Sequence, residues 1–124
     1  MTAAQKAAQA VSRLLRRTKE RDVQWQRVQQ LESLARPKRA GDLAEQSDDK
    51  IEACYEATVD GRRLAIFEAR REGEMFGWTK YVQLVLLDDD GNVQWRFPGV
   101  EGLESLMDAV RYESGNVETF LDSL

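Results

Sequence analysis

The chain has 124 residues, 42% of them hydrophobic and 32% charged, with a formal net charge of −4 at neutral pH. This composition fits one folded domain and excludes an intrinsically disordered chain. The lack of histidine removes the commonest general base and metal ligand, and the single cysteine excludes an intramolecular disulfide and a cysteine-rich zinc site. We therefore predict no enzymatic activity, no metal site and no cofactor.

Residues 1–36 predict an N-terminal helical segment. Alanines and larger apolar residues recur at helical spacing over about residues 3–19, which predicts an amphipathic helix. Its apolar stripe contains Ala4, Ala7, Ala8, Val11, Leu14, Leu15 and Thr18.

The residues after this helix fit two structures. Val23 and Trp25 alternate as they would in a strand, which leaves a strand open for this stretch. A helical stripe would instead contain Trp25, Val28, Leu31 and Leu34. We favour a short helix over about 25–35. It is expected to end before Pro37, because the residue before a proline is pushed out of helical geometry. The polar, breaker-containing residues 37–49 predict a flexible linker.

Residues 50–124 predict an antiparallel sheet followed by helices. Apolar side chains alternate from Ile51, and Asp60-Gly61 suits a tight turn in which both central residues have positive φ. This turn pairs Val59 with Arg62, Ala57 with Leu64 and Tyr55 with Ile66. A second strand over about 63–71, a bend near Glu72-Gly73 and a third strand beginning near Met75 follow from the same period of two.

The stretch DDDGN, residues 88–92, is either a metal-binding loop or the end of a hairpin. An EF-hand loop needs glycine at its sixth position and glutamate at its twelfth, whereas these positions hold Val93 and Gly99 when the loop starts at Asp88. A turn centred on Asp90-Gly91 pairs Leu86 with Trp95, and we favour this register because it buries large apolar residues on one face, each contributing roughly 1.5–3 kcal/mol. We therefore predict a hairpin.

The last quarter of the chain predicts two helices. Leu103, Leu106, Met107 and Val110 follow helical spacing over about 100–113. Gly115 is placed for a left-handed C-terminal cap, and Asn116 for the N-cap of a final short helix. That helix has one apolar face, formed by Val117, Phe120, Leu121 and Leu124. The predicted fold is α+β: an N-terminal helix, a four-stranded antiparallel meander and two C-terminal helices packed on the sheet.

Two segments resemble a family of small uncharacterised bacterial and phage-borne proteins. The resemblance is carried by LLRRTKERDVQW near the start, with its Leu-Leu-x-x-Thr…Trp spacing, and by DGNVQWRFPGVEGLESLMDAVRYESGNVETFLDSL at the end. The chain departs from that family's pattern in a long insertion between Trp25 and Ile51. The resemblance implies a strand meander with helices at both ends, and it implies no activity or site.

The strongest candidate binding residues are apolar. Met75, Phe76 and Trp78 lie next to glycines and could form an aromatic lip, although burial of Phe76 and Trp78 on the third strand is the favoured reading. Tyr81, Val85 and Leu87 share a sheet face with Cys54, Ala65 and Phe67, opposite the expected core. We expect water to reach this face unless the N-terminal helix or a second copy covers it. A partner-binding role for it, in a homodimer or with another protein, is the leading hypothesis.

The basic N-terminal third offers an alternative. Residues 1–40 carry 10 Lys/Arg against 3 Asp/Glu, a net +7, and the remaining residues carry 8 against 19, a net −11. The candidate phosphate-binding residues are Arg13, Arg16, Arg17, Lys19 and Arg21. They could make the chain a nucleic-acid-associated regulator, but the acidic remainder would repel the same polyanion, so a solvated helix face is favoured.

The sequence gives weaker support for carboxylate or thiol catalysis and for membrane contact. Glu52, Glu56, Glu68 and Glu72 could supply a carboxylate pair, but scattered surface acids are the simpler reading. Cys54 is expected to be a packed thiol opposite Phe67 rather than a nucleophile. No apolar run approaches the ~18 residues that span a bilayer, and no apolar signal core is present, so we expect a cytoplasmic protein without membrane contact.

Overall fold

The computed structural model describes residues 2–28, 50–73 and 77–124. Within these ranges the elements are α1 (Ala3–Lys19), β1 (Gln26–Arg27), β2 (Lys50–Val59), β3 (Arg62–Gly73), β4 (Gly77–Leu87), β5 (Val93–Arg96), α2 (Leu103–Ser114) and α3 (Val117–Ser123). The strands form one antiparallel sheet in the order β1-β2-β3-β4-β5. The α+β class with an antiparallel sheet is confirmed, but the described sheet has five strands rather than the predicted four. None of the described helices is long and apolar enough to cross a membrane.

Helix α1 has the predicted bounds. Its first turn is closed by a capping box: the Thr2 hydroxyl accepts a hydrogen bond from the Gln5 backbone N–H, and the Gln5 side chain accepts one from the Thr2 N–H. The buried face consists of Ala7, Val11, Leu14 and Thr18, which follow the i, i+4, i+7 spacing of one helical stripe.

A buried hydrogen bond connects the end of α1 to the first strand. Trp25 Nε1 donates to Thr18 Oγ1 at 3.0 Å, and both side chains are buried. This bond gives the Thr…Trp spacing of the N-terminal motif a structural role, because a buried indole N–H needs an acceptor.

The residues after Trp25 hydrogen-bond to the sheet. Gln26 pairs with Glu56, Arg27 pairs with Tyr55, and the backbone N–H of Val28 donates to the Cys54 carbonyl. The helix predicted over 25–35 is therefore wrong at its start, because these backbone groups are used by β2 instead of by a helical turn. The rest of that helix and the predicted linker 37–49 lie outside the described residues.

The β2–β3 hairpin has the predicted turn and register. Asp60 and Gly61 have φ values of 51° and 79°, as a two-residue turn of this hand requires, and Val59 pairs with Arg62. The next hairpin is longer than predicted. Its strands remain paired to Gly73 and Gly77, so the bend expected at Glu72-Gly73 is wrong and β4 begins at Gly77 rather than near Met75.

The DDDGN stretch forms the predicted hairpin end, and Leu86 pairs with Trp95. Asp88 Oδ1 accepts hydrogen bonds from the backbone N–H groups of Asp90 and Asn92, at 3.0 and 2.8 Å, so its carboxylate holds the turn. The burial expected of Trp95 is not found. Its side chain is largely exposed on the short edge strand β5, where its ring centroid lies 4.7 Å from that of Phe97.

Buried apolar side chains form two clusters, one on each face of the sheet. The first cluster lies between the sheet, α1 and α2, and its larger members include Val11, Trp25, Ile66, Leu84, Leu106 and Val110. The second cluster lies on the opposite face, which we name the second sheet face. Its buried members are Cys54, Ala65, Phe67, Ala69, Val85 and Leu87.

The two C-terminal helices differ in packing. Helix α2 buries its apolar stripe in the first cluster, whereas α3 has no buried residue and makes its main contacts with α2. The prediction that both helices pack on the sheet is thus wrong for α3. Gly115 is the C-cap of α2 and Asn116 the N-cap of α3, as predicted. The left-handed conformation, however, lies at Asn116, φ 54°, rather than at Gly115, φ −86°, and Asn116 makes no side-chain capping bond. Glycine still suits position 115, because a Cβ there would lie 2.9 Å from the Arg111 carbonyl oxygen.

Candidate functional site

The second sheet face is covered within the single chain. Val85 and Leu87 are 0% and 2% exposed, and Tyr81 is half-buried against the same cluster. The face was expected to need either the N-terminal helix or a second copy as its cover, and its side chains are packed without a second copy. Helix α1 contributes no residue to this cluster; its buried side chains belong to the first cluster. A partner could contact Val85 or Leu87 only after the face had opened.

The aromatic lip cannot be placed in the same way. Met75 and Phe76 lie outside the described residues. The backbone of Trp78 pairs with Glu72 in the β3–β4 ladder. A partner-binding role for this end of the hairpin stays a prediction.

The five candidate phosphate-binding residues fall into two groups. Arg13, Arg16 and Lys19 are exposed on α1, and no described acid forms an ion pair with them. Arg17 is bound to two carboxylates: its Nε lies 2.8 Å from Asp22 Oδ2, and its Nη1 lies 3.1 Å from Asp60 Oδ2. These bonds, first to Asp60 and then to Asp22, raise the pKa of Arg17 above its ordinary value.

Arg21 is likewise engaged within the chain. It adopts a left-handed backbone conformation, φ 62°, in the turn that follows α1. Its guanidinium Nε lies 3.2 Å from Glu113 Oε2, and its Nη2 forms an ion pair with Glu118. The guanidinium therefore connects the end of α1 with α2 and α3. A cavity of about 350 Å³ lies beside it, bordered also by Trp25 and Tyr112.

Three of the four predicted carboxylate candidates, Glu52, Glu56 and Glu68, are paired with bases rather than with each other, and the side chain of Glu72 lies outside the described part of the chain. Glu52 Oε1 lies 3.0 Å from Arg70 Nε, and Lys80 Nζ lies 3.6 Å from Glu52 and 3.8 Å from Glu68. Arg111 Nη2 completes the chain of charges at 3.3 Å from Glu68. Partial burial acts to lower the pKa of Arg111, but the hydrogen bond and charge of Glu68, together with smaller contributions from Tyr55, outweigh it and the pKa is raised.

The other candidate residues, Glu56 and Cys54, lie in environments that do not favour catalysis. Glu56 forms an ion pair with Arg63 across the β2–β3 hairpin. Cys54 is buried in the second cluster opposite Phe67, where burial, followed by the charge of Glu56, raises the pKa of its thiol to about 12. A thiol in this state is not a nucleophile at neutral pH. Within residues 2–28, 50–73 and 77–124, no three Cys, Asp or Glu side chains are placed to hold a metal ion.

Helix α3 carries the surface that the sequence analysis missed. Phe120, Leu121 and Leu124 are 61%, 52% and 87% exposed, although their spacing places them on one apolar face. The sequence does contain a signal for this exposure, which is the short connection between the helices. Only Gly115 and Asn116 separate α2 from α3, so α3 follows directly from the end of α2. Three large apolar side chains together on a short exposed helix are typical of an interface.

A second feature is a groove beside β4. It is about 510 Å³ in volume and lies between Lys80, Tyr81 and Val82 on one side and residues 99–105 on the other. We name it the β4 groove. Comparison with protein-family models, with curated proteins and with solved structures found no match for the chain, so the two surfaces must be interpreted from their own geometry.

Proposed function

We propose that the chain is a non-enzymatic protein-interaction module that forms a homodimer through its C-terminal helix. The observation that carries the proposal is the exposure of Phe120, Leu121 and Leu124 on α3. Placing large apolar side chains in contact with a second protein removes them from water, and this is the main favourable term in most protein associations.

Helix α3 is too small to be the whole interface. At about 1.5 Å per residue, its seven residues extend roughly 10 Å, whereas a stable interface buries about 800 Å² on each partner. The adjoining surface is α1, because the ion pair between Arg21 and Glu118 holds its end against the start of α3. We define the α1–α3 surface by Arg13 and Arg16 on α1 and by Phe120, Leu121 and Leu124 on α3.

Charge favours a second copy as the occupant of this surface. The exposed cations Arg13 and Arg16 have no ion pair with a described acid, and α3 carries the exposed acid Asp122, which also has none, beside its apolar face. One copy therefore offers both a basic helix and an acidic apolar helix. A two-fold arrangement places the α3 of each copy on the α1 of the other copy, so that the basic helix of each copy contacts the acidic apolar helix of its partner.

Sedimentation equilibrium tests the dimer. The wild-type chain is expected to dimerise at micromolar concentrations, and Leu121→Asp to remain monomeric because it places a carboxylate in the apolar contact. Trp95→Ser is the matched control, since it removes a similarly exposed apolar side chain from β5 and should leave the dimer intact. The proposal would be contradicted by a wild-type chain that stays monomeric at about 100 μM, roughly tenfold above the expected range.

Cross-linking tests the arrangement of the copies. Cys54 is buried with a raised pKa, so engineered thiols can be read against a low background. Single variants Ser12→Cys on α1 and Ser123→Cys on α3 are mixed and oxidised; both positions are exposed. A disulfide between the two different variants supports packing of α3 on the partner's α1, whereas disulfides only between two Ser123→Cys chains indicate packing of α3 on α3.

One observation supports a second candidate function, a nucleic-acid-associated regulator. Arg13, Arg16 and Lys19 remain available on α1, whereas Arg17 and Arg21 are engaged by acids of the same chain. Three phosphate contacts would give a slope of log K against log salt of about −2.7 for duplex DNA. A gel-shift series in increasing salt tests this, with Arg13→Gln/Arg16→Gln expected to weaken binding to every sequence equally.

A further inference from the structure

The outer edge of β4 is only partly covered by β5. The described pairs between these strands run from Leu87 back to Leu86 and Val85, and the last hydrogen bond is donated by the Phe97 N–H to the Leu84 carbonyl at 2.9 Å. Among the residues that the structure describes, no strand pairs with β4 between Gly77 and Gln83 on this side. At about 3.4 Å per residue, this leaves roughly 24 Å of strand edge.

The backbone groups on this edge can be assigned by alternation. In an antiparallel ladder, successive residues direct their N–H and C=O groups to opposite neighbours. The Leu84 carbonyl faces the β5 side, so the backbone groups of Val82 and Lys80 face the same side. Their side chains are directed towards the face that carries α2: Val82 packs against the first cluster, and Lys80 reaches Glu68.

The β4 groove lies directly against this edge. Lys80, Tyr81 and Val82 form one wall, and the segment 99–105 leading into α2 forms the other. Its volume of about 510 Å³ falls within the range of roughly 300–1,000 Å³ that is typical of binding clefts. A smaller cavity of about 160 Å³ shares the same β4 wall and continues along α2 to Asp108.

The available charge along the α2 wall is negative. Glu101, Glu104 and Asp108 are exposed, and none of them forms an ion pair with a described residue. The cation on the opposite wall, Lys80, lies near both Glu52 and Glu68. A cation entering the groove beside Val82 would therefore meet unpaired carboxylates.

We propose that the β4 groove binds an extended peptide segment of a partner protein, which adds to the sheet as a strand beside β4 and places a lysine or arginine opposite Val82. Main-chain hydrogen bonds to Lys80 and Val82 provide the docking, and the acids of the α2 wall select the cation. Pairing with the strand β4 of a second copy about a two-fold axis at Lys80 is unfavourable, because it sets Lys80 opposite Lys80, and a β4–β4 dimer in another register would appear as self-association of the Leu121→Asp chain. This site is separate from the α1–α3 surface and does not depend on dimerisation.

The experiment uses three capped seven-residue peptides and NMR titration of the full chain. The first peptide alternates threonine and valine around a central lysine, the second has glutamate in place of lysine, and the third is the lysine peptide N-methylated to remove its strand-pairing N–H groups. The lysine peptide is expected to bind, with new hydrogen-exchange protection at the Lys80 and Val82 amides. The glutamate peptide should bind about tenfold more weakly, and the methylated peptide should not bind.

Charge reversal identifies the selecting residue. Glu104→Lys should remove or invert the preference for the lysine peptide, whereas Glu20→Lys, an exposed acid that does not line the groove, should preserve it. Val82→Pro removes an edge donor, a change that edge strands tolerate, and should abolish binding. If that variant unfolds, the methylated peptide tests main-chain hydrogen bonding to β4 in the unaltered chain instead. Equal binding of the methylated peptide, protection at other amides, or an unchanged preference in Glu104→Lys overturns the proposal.

Leu121→Asp separates this inference from the proposed dimer. A monomeric Leu121→Asp chain should bind the lysine peptide with the wild-type affinity, because the β4 groove contains no residue of α3. Loss of peptide binding in this variant, with its fold intact by circular dichroism, would count against an independent groove.

Discussion

The second sheet face and helix α3 are both apolar, and their environments differ from what the sequence suggested. The sheet face was expected to need α1 or a second copy as its cover, and its side chains Phe67 and Val85 are fully buried in the single chain without a residue of α1. Helix α3 was expected to pack on the sheet, and its Phe120 is 61% exposed. Periodicity therefore identifies which residues share a face, but it does not tell what covers that face.

A third element shows what decides the difference. Helix α2 has the same kind of apolar spacing as α3, and it buries Leu106 and Val110 completely. The chain reaches α2 through residues 97–102, which carry it from β5 onto one face of the sheet, whereas only two residues lead into α3. The lengths of the connections determine which amphipathic helix reaches the core.

The largest expected effect is on the free energy of unfolding, when one phenylalanine ring is removed from each of the two regions. Phe67→Ala should lower the free energy of unfolding by about 3–5 kcal/mol, because it opens a cavity in a covered cluster. Phe120→Ala should change it by roughly 0.5 kcal/mol or less, because the ring is already mostly in water. Urea unfolding, monitored at a concentration where the chain is monomeric, measures both values.

Similar losses of unfolding free energy in the two phenylalanine variants would contradict the difference between a covered sheet face and an exposed helix. A small effect of Phe67→Ala would mean that the second sheet face is loosely covered. A large effect of Phe120→Ala in the monomer would mean that α3 contributes to the core of its own chain.

The pH dependence of stability tests the cover on the second sheet face in a different way. The thiol of Cys54 keeps its proton up to about pH 12 when folded, against an ordinary value of 9.0 in the unfolded chain. Between these values the folded state binds more protons, so stability is complete below about pH 9 and falls as the pH rises. The slope is about 1.4 kcal/mol per pH unit.

Urea unfolding at pH 8, 9 and 10 measures this slope, and Cys54→Ala is the reference. Other groups also lose protons in this range, and subtracting the curve of Cys54→Ala isolates the contribution of the thiol. Parallel curves for the two chains would show that solvent reaches Cys54 and that the cover of the second sheet face opens readily.

The hairpins were the most predictable part of the fold. The turn at Asp60-Gly61 and the pairing of Leu86 with Trp95 follow from turn chemistry and from a period of two, both of which act over a few residues. The register of Leu86 and Trp95 was correct, although Trp95 is more exposed than the burial argument assumed. Cross-strand pairing fixed the register more strongly than burial did.

The less predictable parts depend on distant contacts. The alternation of Val23 and Trp25 left a strand open but could not decide it. The strand at Gln26–Arg27 forms because β2 supplies its partner, and Trp25 is fixed by its hydrogen bond to Thr18. The two surfaces that we propose for binding were missed for the same reason. The residues Phe120 and Leu121 were assigned to packing, and the open edge of β4 appears only once the short length of β5 is known.

The smallest expected effect concerns Asn116, the left-handed residue that leads into α3. An alanine tolerates this conformation less well than asparagine, at a cost of about 1 kcal/mol, and Asn116 makes no side-chain capping bond whose loss would add to it. Because α3 buries no residue, we expect this cost to appear as local opening of α3 rather than as a loss of global stability. Hydrogen exchange at the Phe120 amide, which donates to the Asn116 carbonyl at 3.1 Å, should become about fivefold faster in Asn116→Ala and return to the wild-type rate or below in Asn116→Gly. A fall of about 1 kcal/mol in the global unfolding free energy would instead couple α3 to the core, and an exposed helix that unfolds together with the sheet could not be treated as a separate docking surface.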